Sequence, residues 1–207
     1  MNRREMLKRA TYLASILSMT GLPYLLARLL TPSVQAAEQQ RVPLPGAKKP
    51  LAAFEAACIG CGLCGEVCPP RCIVFKKQSG GQSSNTPYIN PEDKGCILCG
   101  KCMQVCPTDA LTITDIRKVD MGTAQIDRSA CYPWTDQGVC GACASICPLG
   151  ERAISFVDWN QYRPVVNTGC VGCGLCVEVC PEPSLPIRVV AREKGTIARH
   201  AVQERWR

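Results

Sequence analysis

Apolar residues are distributed along this chain in three patterns. Residues 10–27 are almost continuously apolar and follow a basic start, Asn2-Arg3-Arg4-Glu5-Met6-Leu7-Lys8-Arg9. Residues 37–50 (Ala-Glu-Gln-Gln-Arg-Val-Pro-Leu-Pro-Gly-Ala-Lys-Lys-Pro) are polar and rich in Pro and Gly, which predicts a linker. From Ala56 onward the apolar positions come in short β-type runs at 73–75, 88–89, 111–114, 125–127, 154–157, 163–166 and 187–190. Each is too short for a stable sheet alone and predicts half of a small hairpin. Residues 79–86 (Ser-Gly-Gly-Gln-Ser-Ser-Asn-Thr) predict a flexible loop, and 191–207 a basic tail with the single His, His200, to which no role is assigned.

The segments between the β-type runs carry the chemistry. Sixteen of the seventeen cysteines fall into four runs, each closed by Cys-Pro. Run one is Cys58, Cys61, Cys64 and Cys68; run two is Cys96, Cys99, Cys102 and Cys106; run four is Cys170, Cys173, Cys176 and Cys180. Run three, Cys131, Cys140, Cys143 and Cys147, differs in its stretched first gap. Three cysteines spaced two apart wrap three corners of a cubane, while the fourth, three residues on, turns toward a neighbouring centre; this is the spacing of [4Fe–4S] ligation. The proline that follows cannot continue a regular turn and removes one N–H donor. Four runs predict four [4Fe–4S] clusters held by these sixteen cysteines.

Two other uses of cysteine fit less well. Structural zinc takes pairs of Cys-x2-Cys separated by a longer stretch, whereas here three ligands crowd into seven residues. Disulfides are common in exported Cys-rich chains, but an odd count and this close spacing suit bridging poorly. With three Phe and three Trp in the chain, the apolar supply is thin, so the clusters are expected to form the cores and the metal-free chain not to fold stably.

The start of the chain predicts export. A basic segment, an apolar stretch and the small-residue end Val34-Gln35-Ala36-Ala37 describe a secretory signal over 1–36, cleaved after Ala36. Arg3 and Arg4, followed by an apolar residue, Leu and Lys, are similar to a twin-arginine (Tat) signal, although Asn2 and Met6 stand where Ser/Thr and Phe are usual. The competing reading is an uncleaved anchor, weakened by Gly21 and Pro23. Clusters are built in the cytoplasm, so a cluster protein bound for the periplasm must cross folded, which the twin-arginine route permits.

Export and metal both change the meaning of the net charge of +7. Residues 1–36 hold five Arg/Lys and one Glu, or +4, leaving +3 for the rest. Each oxidised cluster with its four thiolates carries about −2, so the loaded protein is at about −5. Binding to nucleic acid is therefore not expected.

Two features depart from the repeat. Cys72, the seventeenth cysteine, stands where Ala110 stands after run two; it reads as a buried structural thiol, with a spare ligand or redox-active thiol as the sharper alternative. The eight residues 132–139 (Tyr-Pro-Trp-Thr-Asp-Gln-Gly-Val) inside run three read as a loop covering the cluster from water, or as a docking or potential-tuning element.

Together the repeats form an α+β, irregular-rich fold of tandem bacterial 2[4Fe–4S] ferredoxin-like modules, with a four-cluster domain over 51–190. With its twin-arginine start, its four runs and the stretched third one, the chain resembles the NapG/MauM family of ferredoxin-type proteins over nearly its whole length. The resemblance implies a periplasmic electron carrier without a catalytic site of its own. NapG partners are a membrane quinol-oxidising iron–sulfur protein, NapH, and a periplasmic reductase or c-type cytochrome; MauM proteins belong to methylamine utilisation. The alternative is the iron–sulfur subunit of a molybdenum oxidoreductase; a self-contained signal and no C-terminal membrane helix favour the carrier. Spacing leaves two pairings of the runs open, sequential (one with two, three with four) and nested (one with four, two with three). The resemblance implies the nested one, in which Cys180 completes the cluster of Cys58, Cys61 and Cys64.

Overall fold

A computed structural model describes residues 4–5, 8–9, 41–76, 85–157 and 161–192. The chain forms two compact units, Met1–Glu38 and Gln39–Arg207. In the first, Arg4, Glu5, Lys8 and Arg9 are helical, and the remainder of the expected export signal, Arg3 included, lies outside the described residues. Among the described residues no helix is long and apolar enough to cross a membrane.

The second unit is built from very short elements: α1 (Leu51–Ala57), α2 (Leu63–Glu66), β1 (Ile73–Phe75), β2 (Pro87–Ile89), α3 (Lys101–Val105), β3 (Thr123–Ile126), α4 (Ala142–Ser145), a 3-10 turn (Gly150–Arg152), β4 (Ile154–Val157), β5 (Arg163–Val166), α5 (Leu175–Glu178) and β6 (Ile187–Val190). They form three two-stranded antiparallel sheets. β1 pairs with β2, Val74 opposite Tyr88, and β4 with β5, Ser155 opposite Val165. β3 pairs with the distant β6, Gln125 opposite Arg188, so it closes the second half of the unit rather than forming a local hairpin.

The first half is closed in the same way by residues that the sequence marks as a linker. Residues 41–50 belong to the fold: Val42 exchanges backbone hydrogen bonds with Ile89, Ala47 forms a bridge with Leu111, and the Thr112 N–H donates to Gly46 O at 2.8 Å. Val42 and Leu44 are buried to 2% and 1% exposure. Pro43 and Pro45 alternate with Val42 and Leu44, and they are tolerated because the bridge to Ile89 uses only the N–H and carbonyl of Val42. Gly46, at φ +72°, presses against Met103 and the Thr112 carbonyl, where a Cβ would lie 2.6 Å from the Met103 Sδ. Correspondingly, 111–114 is not a strand; only Leu111 makes a bridge.

At the other end, Arg192 is part of the fold rather than of a tail. Its guanidinium donates to Gly122 O at 3.2 Å and to Cys170 O, and its Nε lies 3.3 Å from Asp120 Oδ1. Residues 193–207, with His200, and most of the expected 79–86 loop lie outside the described residues. The core combines Phe54, Leu44, Ile89, Met103, Ile154, Val171, Val177 and Ile187 with buried cysteines from runs one, two and four.

Candidate metal centres

Each run builds the same local device. The third cysteine lies in a single helical turn (Cys64 in α2, Cys102 in α3, Cys143 in α4, Cys176 in α5) and the fourth follows that turn. In runs one, two and four the turn is entered from a left-handed glycine, Gly62, Gly100 or Gly174. In run three Gly141 has φ −127°, and the loop ahead of it is the insertion. One turn of helix carries the fourth cysteine away from its own loop, and proline ends the turn there.

The sixteen cysteines of the runs come together at four cavities, each lined by three thiols of one run and the fourth of another, with Cys72 as an additional thiol in one of them. Cys58, Cys61 and Cys64 share theirs with Cys106, and Cys96, Cys99 and Cys102 with Cys68. Cys170, Cys173 and Cys176 share with Cys147, and Cys131, Cys140 and Cys143 with Cys180. The pairing is sequential, which corrects the nested expectation: Cys180 stands with run three and not with run one. The reason is local closure. The β1–β2 hairpin folds run two back onto run one, β4–β5 does the same for runs three and four, and α2 packs on α3 as α4 packs on α5.

The donor set suits an iron–sulfur cubane. No carboxylate or imidazole lines any of the four cavities; the remaining lining is apolar or proline, with Thr108 the one hydroxyl. None of the seventeen cysteines is in a disulfide. Among the described residues no cluster of Cys, His, Asp or Glu is set to hold a single metal ion; the thiols stand around a space instead. Backbone N–H groups point at sulfur, Leu98 to Cys96 and Ala124 to Cys170, both at 3.4 Å. Such donors stabilise thiolates and raise cluster potentials.

Burial holds several of these thiols in their protonated form when no metal is present. It pushes Cys64 and Cys143 up to about 11 and Cys102 and Cys173 up to about 12. Iron must displace those protons, so loading weakens as pH falls. Two thiols go the other way. Cys106 is lowered: burial opposes this, but the Thr108 hydroxyl and the amides of Thr108 and Leu111 outweigh it. Cys96 is lowered to about 7, chiefly by a hydrogen bond from the Cys72 thiol.

Cys72 is thus a fifth sulfur at the second cavity. It is buried, lines that cavity and lies 3.6 Å from the Cys68 Sγ. The insertion at 132–139 is a strapped cover over the fourth cavity. The Trp134 Nε1 donates to Pro164 O at 3.0 Å, Arg163 donates to Pro133 O and pairs with Asp136 at 2.8 Å, and the guanidinium groups of Arg128 and Arg163 lie over the Trp134 ring. Tyr132 bonds to Glu182, two residues beyond Cys180. Pro133 itself lines the cavity with Pro164, Pro181 and Pro186, in keeping with a cover against water.

Comparison with known proteins agrees with this geometry. The 4Fe–4S dicluster domain family matches residues 57–110, 95–151 and 138–184. The first match contains runs one and two, which share their cavities, and the last contains run four with Cys140, Cys143 and Cys147 of run three, Cys131 lying ahead of it. The middle one joins runs two and three by spacing, although the fold does not pair them. The chain is 34% identical to the methylamine utilization ferredoxin-type protein MauM of Methylobacillus flagellatus over 69% of its own length and 65% of that relative's. It is 32% identical to MauM of Methylorubrum extorquens, covering 94% of this chain and 91% of that one. To the ferredoxin-type protein NapG of Haemophilus influenzae it is 31% identical, covering 96% and 75%. Sixteen cysteines grouped four to a cavity by their runs, on a chain of this likeness, place the protein in the NapG/MauM family of ferredoxin-type proteins, with four [4Fe–4S] clusters and an iron–sulfur electron-transfer role.

Proposed function

We propose that this protein is a periplasmic electron relay, exported folded through a twin-arginine signal that carries Arg3 and Arg4. It takes electrons from a membrane quinol-oxidising iron–sulfur partner of the NapH kind. It passes them to a periplasmic reductase or c-type cytochrome, in nitrate reduction or in methylamine utilisation. It has no chemistry of its own on a substrate. The observation that carries this reading is the set of four cavities, each with three thiols of one run and the fourth of its neighbour, and no carboxylate or imidazole. The sixteen cysteines are assigned as iron ligands, three from one run and the fourth from its neighbour. When bound, each cluster supplies a one-electron couple. The chain's residues hold it, keep water away with proline and aliphatic side chains, and aim N–H groups at the ligating sulfurs.

The test is anaerobic purification of the full chain, iron and sulfide analysis, and reductive titration followed by low-temperature EPR. Four clusters per chain, each changing by one electron, is the expected result; zinc without sulfide would end the reading. Export is tested by fractionating cells that carry Arg3→Lys together with Arg4→Lys, which should leave the loaded protein in the cytoplasm. Stoichiometric co-purification with a molybdenum-containing catalytic chain would move the protein to the alternative class of permanent electron-transfer subunit.

A further inference from the structure

The two halves of the second unit carry two cavities each, and the loops of runs two and four meet. The Cys96 N–H donates to the carbonyl of Cys173 at 2.7 Å, and the Gly95 N–H donates to Glu178 Oε2 at 2.7 Å. Gly95 is buried at this seam, where a Cβ would lie 2.5 Å from the Leu175 nitrogen and 2.6 Å from its Cα. On the facing side, a Cβ on Gly174 would lie 2.8 Å from the Pro91 Cβ. Only a residue without a side chain permits that approach. Cys96 lines the second cavity and Cys173 the third.

We propose that this seam is the electron bridge between the halves, so that the four centres lie in the order run one, run two, run four, run three. The proposal rests on the electron-carrier reading above. The bridge runs from Cys96 Sγ through its Cβ, Cα and N–H, across one hydrogen bond, to the carbonyl, Cα, Cβ and Sγ of Cys173. One electron crosses; the donor side is oxidised by one, the acceptor side is reduced by one, and no bond or proton is exchanged. Burial agrees with this order. At the two cavities of the seam Cys68, Cys96, Cys102, Cys170, Cys173 and Cys176 are buried, with Cys147 half-buried and Cys99 exposed, whereas the run-one cavity has only Cys64 buried and all four cysteines of the run-three cavity are half-buried. The ends of the relay are therefore the run-one and run-three cavities, and its donor and acceptor meet the protein at different ends. Within each half the step needs no separate bridge, because the runs exchange their fourth cysteines. Glu178 acts as a positioning residue, holding Gly95 so that the Cys96 amide reaches its acceptor.

The test uses the fully loaded chain with Glu178→Ala, Glu178→Gln and Gly95→Ala. Iron and sulfide are measured first; a wild-type chain that holds neither removes the electron-carrier reading itself. In loaded protein an electron is injected photochemically at less than one per chain, and its redistribution between centres is followed, with spin–spin broadening recorded in the fully reduced state. The expected result is a several-fold slower redistribution and a narrowed signal in Gly95→Ala and, to a smaller degree, Glu178→Ala, with loading unchanged and with Glu178→Gln close to wild type. Should Gly95→Ala fail to load, Glu178→Ala decides, because Glu178 is an exposed side chain outside the cavities. Full loading with rate and line shape unchanged in Glu178→Ala would overturn the proposal.

Discussion

Runs one and four have nearly the same text, Cys-x-Gly-Cys-Gly-Leu-Cys-x-Glu-Val-Cys-Pro, and nearly the same backbone, with Gly62 at φ +82° and Gly174 at φ +85°. Their surroundings differ completely. Ile59 in run one is 67% exposed, whereas the equivalent Val171 is 3% exposed and its carbonyl accepts from the Met121 amide. Glu66 points into solvent, whereas the equivalent Glu178 caps the Gly95 N–H of the other half. Gly65 is tight against Phe75, where a Cβ would lie 2.8 Å from the ring, and the equivalent Val177 fills the core at 2% exposure. A local motif sets the shape of a cluster loop; its neighbours decide whether that loop becomes an outer end of the relay or an inner link.

Four experiments would break or sharpen this contrast, beginning with the largest effect. Cys180→Ser should remove the cluster of run three and leave that of run one, read as the loss of one EPR component; loss of the run-one component would restore the nested pairing. Cys176→Ser, deep in the inner cavity, should cost more than one cluster's iron because the fold depends on the metal, while Cys61→Ser at the exposed rim should affect only its own site; iron and sulfide per chain measure this. Val171→Ala should lower the stability of the loaded protein by roughly 1–3 kcal/mol, while Ile59→Ala should stay within about 0.5 kcal/mol, in denaturant unfolding. Glu66→Gln should leave both stability and redistribution kinetics at wild-type values, the smallest effect of the set, because that position faces solvent.

Much of the site was legible before any fold was known, and particular residues explain where legibility stopped. The cysteine spacing is a ligand pattern over a few residues, and all sixteen candidates line cavities. Strands 73–75, 154–157, 163–166 and 187–190 matched because each is a short apolar or β-branched run between turns. Val42 and Leu44 escape a reading by composition because Pro43, Pro45 and Gly46 count as breakers, whereas the bridge to Ile89 needs only the N–H and carbonyl of Val42. Arg192 was counted with a basic tail because its acceptors, Gly122 O and Cys170 O, lie 70 and 22 residues away in the chain. Cys72 was readable as a buried thiol, but its place beside Cys68 and Cys96 belongs to two runs at once.

What the sequence determined by itself is the chemistry: thiols three to a loop, a fourth thrown forward by one helical turn, a proline to stop it, and so four cubane sites. These are short-range consequences of helix geometry and of proline's missing N–H, and they recur wherever the text recurs. Only the tertiary structure decided which run completes which site and which sites face each other. Those follow from contacts between distant segments: the hairpins that close neighbouring runs on one another, and the loop of Gly95 and Cys96 packed against that of Cys173 to Glu178. Spacing is blind to such contacts, since runs two and three satisfy the same dicluster pattern without sharing a cavity.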